Sequence, residues 1–397
     1  MPLRTPLYPR HIELGARCIE FGGWEMPVQF AGITAEHTAV RTASGLFDIS
    51  HMGELMVGGA HARAFLNHVF TNDIEKLAVG RAQYTILCRE DGRAIDDLYV
   101  YRVASEAFLL IVNASRIEAD LHWLQFQLSS LGKKWSVKIE NQSETTGAIA
   151  LQGPASPFII HGLFATGGLI AVDNPVDLKR NQIDAFNYGT GQVFVARTGY
   201  TGEDGFELVA SNELIQAIWD HLLELGQAHA IQPAGLGARD TLRIEMGYPL
   251  YGHELSEEIT PIEAGLKSFV KFDKPEFIGK EALSEQYRKE PNRKAMGLKM
   301  TGKSPPPRQG YELFIGEEKL FHEEVWTWGP DGLKGQRDDP CIGQLTSGTQ
   351  SPSLQCGIGL ALVGAAKAIP GTVVNVKIRD KMFPAELCKK PIYIKNE

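Results

Sequence analysis

Asp96 and Asp97 stand side by side in the strand-like run Ala94 to Val103. Adjacent acids in such a stretch are candidates for proton handling or for stabilising a developing positive charge. Side chains alternate along a strand, so Asp97, Tyr99 and Tyr101 share one face while Leu98 and Val100 take the other. An acid beside two aromatic rings suits a pocket that stacks a flat ligand and hydrogen-bonds its ring nitrogens. The competing reading is a solvated hairpin edge. A second constellation runs from Arg197 to Leu208, with Gly199, Gly202 and Gly205 between them. Its turn can bring Tyr200 near Glu207. Glu207 sits between Phe206 and Leu208 and so faces away from both. A carboxylate there could bind a planar pair of N–H donors, or the segment could be a surface hairpin. Arg239 and Arg243 lie one helical turn apart in Gly235 to Gly247. Such an arginine either clamps a carboxylate or pairs with Asp240 or Glu245.

Three other patterns carry no chemistry. Gly297 to Ser304 satisfies the phosphate-loop spacing, but Pro305, Pro306 and Pro307 block the helix the phosphates would need. Gly235-Leu236-Gly237 and Gly189-Thr190-Gly191 lack the third glycine of a dinucleotide fingerprint. Asp48, Ser50 and His51 are too close in sequence to aim at one centre as a hydrolytic triad.

These residues must be positioned by a chain of 397 residues, a length that suggests two or three domains. Its 40 Lys and Arg against 48 Asp and Glu give a net charge of −8, which argues against a nucleic-acid or anionic-membrane binder. Five cysteines without CxxC or HExxH spacing argue against a metal site and fit a reducing compartment. The absence of a ~20-residue apolar run or a leader-like start points to a cytoplasmic protein that does not enter membranes.

The patterning predicts a strand and then a helix near Ala60 to Val69. A hairpin follows from Ala94 to Asn113, turning at Ser105-Glu106. Ser115 and Glu118 fit a capping box for the next helix. Strands are expected at 192–197 and 206–210. Ser211 is expected to cap a helix with Leu214, Ile218, Leu222 and Leu225 on one face, stopped by Gly226. Ser284 to Lys294 reads as a linker between residues 1–284 and a C-terminal domain, 285–397. The short strand-like runs beyond it, 310–315, 342–345, 357–363, 372–378 and 382–387, suggest a small antiparallel barrel or sandwich.

Taken in order, these stretches resemble the folate-dependent aminomethyltransferases, the T-proteins of the glycine cleavage system. The resemblance rests on Thr5-Pro6-Leu7-Tyr8, Phe21 to Pro27, Phe47 to Met52, Arg81-Ala82-Gln83-Tyr84, Ile95-Asp96-Asp97-Leu98, Arg197 to Glu207, Gly235 to Glu254 and Thr346 to Pro352. It implies an α+β protein in which two interleaved α+β domains and a C-terminal antiparallel β-barrel surround a central folate-binding hole. It implies tetrahydrofolate as co-substrate, no metal, and a lipoylated H-protein as partner carrying the aminomethyl group. Asp97 corresponds to the family's catalytic carboxylate, with Asp96 a second choice. Tyr84, Tyr101, Asn113, Tyr200, Glu207 and Arg239 correspond to pocket residues, Glu207 taking the aminopyrimidine edge. Two departures stand out. Leu266 to Phe269 lacks the aromatic, often Trp, of many members, which leaves Phe269 for that wall. His322 to Asp339 looks like an insertion in the barrel.

The same fold hosts folate-dependent demethylases of compounds such as dimethylsulfoniopropionate, which differ at the substrate end. It also hosts iron–sulfur-assembly relatives with a Lys-Gly-Cys motif, which Lys274 to Glu281 lacks. The flavin-dehydrogenase fusions are excluded by the four residues that precede Thr5.

Overall fold

The structure is a computed structural model and describes residues 1–132, 134–315, 328–329, 332–333 and 341–395. The chain divides into two compact units. The first comprises residues 1–87, 95–239 and 273–278; the second comprises 88–94, 240–272 and 279–397.

The first unit is built from two sheets. One runs in the order Ile183–Tyr188, Gly191–Ala196, Gly205–Ser211, Thr146–Gln152, Ser44–Asp48 and Ile231–Pro233. The other runs Arg81–Cys88, Ala94–Ala104, Ala107–Val112, Gly53–Gly58 and Lys138–Asn141. The chain leaves the first sheet after Ser44–Asp48, builds the whole of the second, and returns at Thr146, so the two are interleaved in sequence. Each sheet has its own helix-covered core. Phe206, Leu208 and Leu151 pack with Ile215, Ile218, Trp219 and Leu222 of the helix Asn212–Gly226. Leu98, Val100 and Leu110 pack with Phe65 and Leu66 of the helix Ala62–Val69 and Leu124 of Ile117–Ser130. The opposite faces meet in a third cluster holding Ala82, Tyr101, Leu109 and Ile111 from one sheet and Ile183 and Ala196 from the other.

In the second unit six strands close a barrel: Arg293–Met300, Cys356–Gly364, Cys341–Ser351, Glu312–Phe314, Val373–Ile378 and Lys381–Cys388. Leu298, Leu313, Leu345, Val363, Val376 and Leu387 fill it. Of the barrel or sandwich suggested by the short punctuated runs, the barrel is the one present, and Gly297 to Met300 lies in its strand Arg293–Met300 rather than in a phosphate loop. Phe269 lies in a single 3₁₀ turn, Lys267–Phe269. Most of the insertion 322–339 lies outside the described residues.

Three local expectations are corrected. Ser115 does not cap: it lies in a 3₁₀ turn, Ala114–Arg116, and the helix starts at Ile117 with Arg116 at the cap position and no side-chain cap bond. Ser211 stands at the cap position of Asn212–Gly226 without making the bond, and the buried stripe is rotated onto Ile215 and Trp219, with Leu214 and Leu225 only partly buried. The charged stretch read as a linker is largely ordered, because Lys280–Lys289 is a helix anchored by buried Leu283. Among the described residues no helix is long and apolar enough to cross a membrane.

Candidate functional site

Strand alternation holds along Ala94–Ala104. Leu98 and Val100 enter the helix-covered core, while Tyr99 and Tyr101 join the cluster between the sheets and Asp97 is half-buried on their side. The Tyr84 hydroxyl, from the neighbouring strand, donates to Asp97 Oδ2 at 2.8 Å. Asn113, just past the return strand of the hairpin, donates through Nδ2 to Asp97 Oδ1 at 3.1 Å and to the Asp97 carbonyl at 3.0 Å. The same amide reaches Asp96 Oδ1 at 2.8 Å, and the Asn113 backbone N–H donates to Asp96 Oδ2 at 3.1 Å. Asp96 is thus fully buried away from Asp97's face and linked to it through Asn113. Burial, and then the nearby Asp96, push the Asp97 carboxyl up to about 7, against the pull of the Tyr84 and Asn113 donors. Burial holds the Tyr84 hydroxyl well above its usual value, so it stays a neutral donor.

Glu207 shares one face of Gly205–Ser211 with Val209 of the inter-sheet cluster, while Phe206 and Leu208 are buried on the other side. Thr198 Oγ1 donates to Glu207 Oε2 at 2.5 Å and the Tyr101 hydroxyl approaches the same oxygen at 3.4 Å. The turn between them is pinned from inside. Gln152 donates to the Thr198 carbonyl at 3.1 Å and accepts from Thr201 at 2.9 Å. A Cβ at position 199 would lie 1.9 Å from that Gln152 side chain, so any other residue there would displace Gln152 from its bonds to the turn. Arg197 closes the turn on Asp204 at 2.5 and 2.9 Å.

Arg239 enters on the first turn of the helix Leu236–Met246. Buried Glu36 fixes this helix start by accepting the Gly235 N–H at 2.9 Å. The Arg239 guanidinium lies 4.8 Å from the centre of the Tyr200 ring and has the Met52 sulfur at 4.0 Å. Among the described residues it makes no ion pair. Burial lowers its pKa, and Glu207 and Tyr200 pull it back up.

Contacts and electrostatic influence tie these groups together. Asp97 accepts from Tyr84, and Tyr200 helps to raise the Tyr84 hydroxyl. Tyr200 carries Arg239, and Arg239 feels Glu207. Glu207 meets Tyr101, which stacks on Tyr99 at 5.9 Å. Tyr99 returns edge-on to Tyr84, also at 5.9 Å. Asp97, Tyr84, Asn113, Tyr101, Tyr200, Glu207 and Arg239 are therefore brought together, and Asp96 stands behind them. A cavity of about 460 Å³ elsewhere, lined by Met56, Trp135, Val137 and Glu140 among others, includes none of these residues.

Two further residues belong to the arrangement. Thr198 is the nearest donor to Glu207, but a threonine beside a glycine turn has no spacing that marks it. Asp120, from the helix Ile117–Ser130, is buried with neither carboxyl oxygen donated to among the described residues, and its carboxyl feels the charge of Asp96. Its sequence signal is an acid in a first helical turn, which ordinarily means a solvated complement to the helix dipole. No triad forms at Asp48, Ser50 and His51. Asp48 accepts from Thr5 at 2.6 Å and from the Ser50 backbone at 2.9 Å, with His11 Nε2 at 3.2 Å. The Ser50 hydroxyl is spent on the backbone of Ala148, and burial drives His51 down to about 4.

Residues 7–274 match the family described as the GCVT N-terminal domain, and residues 293–393 match the glycine cleavage T-protein C-terminal barrel domain. An aminomethyltransferase of Bacillus subtilis (strain 168) is 41% identical over 391 residues, 98% of this chain and 99% of that one. One of Bacillus pumilus (strain SAFR-032) is 43% identical over 392 residues, 98% of each. The crystal structure of the glycine cleavage system aminomethyltransferase T from Bartonella henselae superposes with a TM-score of 0.85 at 30% identity, covering 99% of this chain and 98% of that one. With both domain matches in order and relatives alike from end to end, the chain belongs to the glycine cleavage T-protein family of aminomethyltransferases.

Proposed function

We propose that this chain is the aminomethyltransferase of a glycine cleavage system. It takes the methylene of the aminomethyl group carried on the lipoyl arm of H-protein and passes it to tetrahydrofolate. The products are 5,10-methylenetetrahydrofolate, ammonia and the dihydrolipoyl arm. The observation that carries the reading is the full-length similarity to aminomethyltransferases, 41% over 98% of the chain. No observation favours a folate-dependent demethylase.

The residues present suit the acceptor. Glu207, backed by Thr198 and Tyr101, offers a carboxylate to a planar donor pair. Arg239 offers a half-buried cation without an ion pair among the described residues, and the Tyr84, Tyr99 and Tyr200 rings offer flat walls. Tetrahydrofolate, when bound, would supply the two nitrogens that take up the methylene, one in its reduced pterin ring and one in the amine that follows it. Asp97 is the group we assign to the chemistry. With its carboxyl at about 7 it is substantially ionised at neutral pH and can exchange a proton there. Its anion favours the positive charge that develops on the aminomethyl carbon as the C–S bond breaks. Tyr84 and Asn113 fix the carboxylate so that it need not reorganise at that moment. We assign the folate site to residues 1–284 and the barrel domain to 285–397, in a cytoplasmic enzyme without metal.

The test is to incubate purified protein with aminomethylated H-protein, with and without tetrahydrofolate. Folate-dependent release of ammonia and methylenetetrahydrofolate is expected. Absence of both, with demethylation of a small methylated compound instead, overturns the reading.

A further inference from the structure

Asp120 is completely buried, and no N–H or hydroxyl among the described residues donates to either of its carboxyl oxygens. The charge acting on it most strongly is that of the equally buried Asp96, and a hydrogen bond to that carboxyl would partner one of the two orphaned oxygens. A hydrogen bond between two carboxyl groups requires one proton, because an ionised carboxylate only accepts. The surroundings decide which acid carries it. Asp96 accepts two N–H groups from Asn113, at 2.8 and 3.1 Å, which favours its charged form. Asp120 accepts none, and burial pushes its carboxyl well above the usual range. The Arg116 guanidinium is the opposing charge on its helix, and Arg116 is also bonded through Nε to the Ile95 carbonyl at 2.9 Å.

Resting on the reading of Asp97 as the reacting carboxylate, we propose that Asp120 is a positioning residue for it. As a neutral acid Asp120 donates to Asp96, keeps that carboxylate ionised and aimed at Asn113, and through the Asn113 amide holds Asp97 toward the site. The groups that face this relay are Asp96 on Asp97's own strand, Tyr84 on the adjacent strand, and Asp120 and Arg116 from the helix side. The arrangement makes a specific demand: position 120 must supply a hydrogen, not a charge. Removing that hydrogen returns a proton to Asp96. The like charge behind Asp97 is then lost, and Asp97 titrates at lower pH.

The experiment compares Asp120→Asn and Asp120→Leu in the full chain. The Asn amide still donates, so turnover is expected to stay within ~3-fold and Asp97 to titrate as before. The Leu side chain donates nothing. Turnover is expected to fall by roughly 10–100-fold, as for other groups that orient a reacting one, with the Michaelis constant for tetrahydrofolate unchanged. Carboxyl ¹³C NMR reads the Asp97 titration without any substrate, and the Leu variant should lower its midpoint. If Asp120→Leu does not fold, Asp96→Asn should lower the same midpoint by the same loss of charge. An Asn variant as impaired as the Leu variant overturns the proposal, since a charge and not a hydrogen would then be needed. So do unmoved midpoints in both comparisons. Because the NMR midpoint needs no turnover, a wild-type protein inactive with H-protein removes the functional reading while the relay is still judged on its own.

Discussion

Arg239 and Arg243 lie on one helix, one turn apart, and they are opposites. Arg243 is 1% exposed and saturated: it donates to Glu254 at 2.9 Å, Ser347 at 2.7 Å and Asp240 at 2.9 Å. Its partner Glu254 is in turn held by Thr346 at 2.6 Å and by the Leu250 N–H at 3.0 Å. Arg239 has a tyrosine ring and a sulfur atom. Buried Asp96 also contrasts with Glu254, since it is held by the side-chain and backbone N–H groups of Asn113 rather than by a guanidinium among the described residues. A buried charge whose hydrogen bonds are complete holds a structure together. One left short of partners in a half-buried setting is poised for something outside the chain.

The comparison can be broken at four points. Arg243→Ala leaves Glu254 buried and unpaired, so it should cost about 3–5 kcal/mol in denaturant unfolding; a loss below ~1 kcal/mol would make this network dispensable. Asp97→Asn should fold normally and lose ~10²–10³ in turnover, with Asp96→Asn losing clearly less, because it acts from behind through Asn113. Steady-state kinetics decides, and the reverse order would contradict the face assignment. Arg239→Ala should raise the tetrahydrofolate Michaelis constant by about tenfold, the worth of one charged hydrogen bond, with little change in turnover or melting temperature. A lowered melting temperature with unchanged kinetics would make Arg239 structural like its neighbour. The smallest effect is on stability against pH. Asp97 titrates at about 7 when folded and near ~4 when unfolded, so charging it opposes folding as pH rises between those values. The Asn variant escapes that penalty. Its melting temperature relative to the parent should therefore rise from pH 4 to pH 8, as read by calorimetry; a flat or falling difference would contradict the raised carboxyl.

Much of this was legible because it depends on short-range periodicity. The hairpin at 94–112 follows from alternation, which also places Asp97 with Tyr99 and Tyr101. Short runs between glycines and prolines suggest a barrel or a sandwich, and the closed six-stranded sheet is the barrel. Pairing across long separations was not legible. The sequence leaves open which arginine is saturated, because Glu254 and Ser347 are 11 and 104 residues from Arg243. It shows Asp120 only as an acid early in a helix, while Asp96, whose charge acts on it, is 24 residues upstream on another element. The capping prediction at Ser115 failed because the chain first makes a 3₁₀ turn, which removes the geometry that cap requires.

The account turns on Asp97 as an ionising carboxylate in the folate site. The most direct test is the pH dependence of kcat/KM, with aminomethylated H-protein and tetrahydrofolate, for the parent and for Asp97→Asn. The parent should show an acid limb with a midpoint near 7. The Asn variant should lack the limb and run uniformly slow, while calorimetry gives it a tetrahydrofolate affinity within ~3-fold of the parent's, as expected for loss of an interaction made only in the transition state. An Asn variant that keeps both the rate and the limb would contradict the assignment.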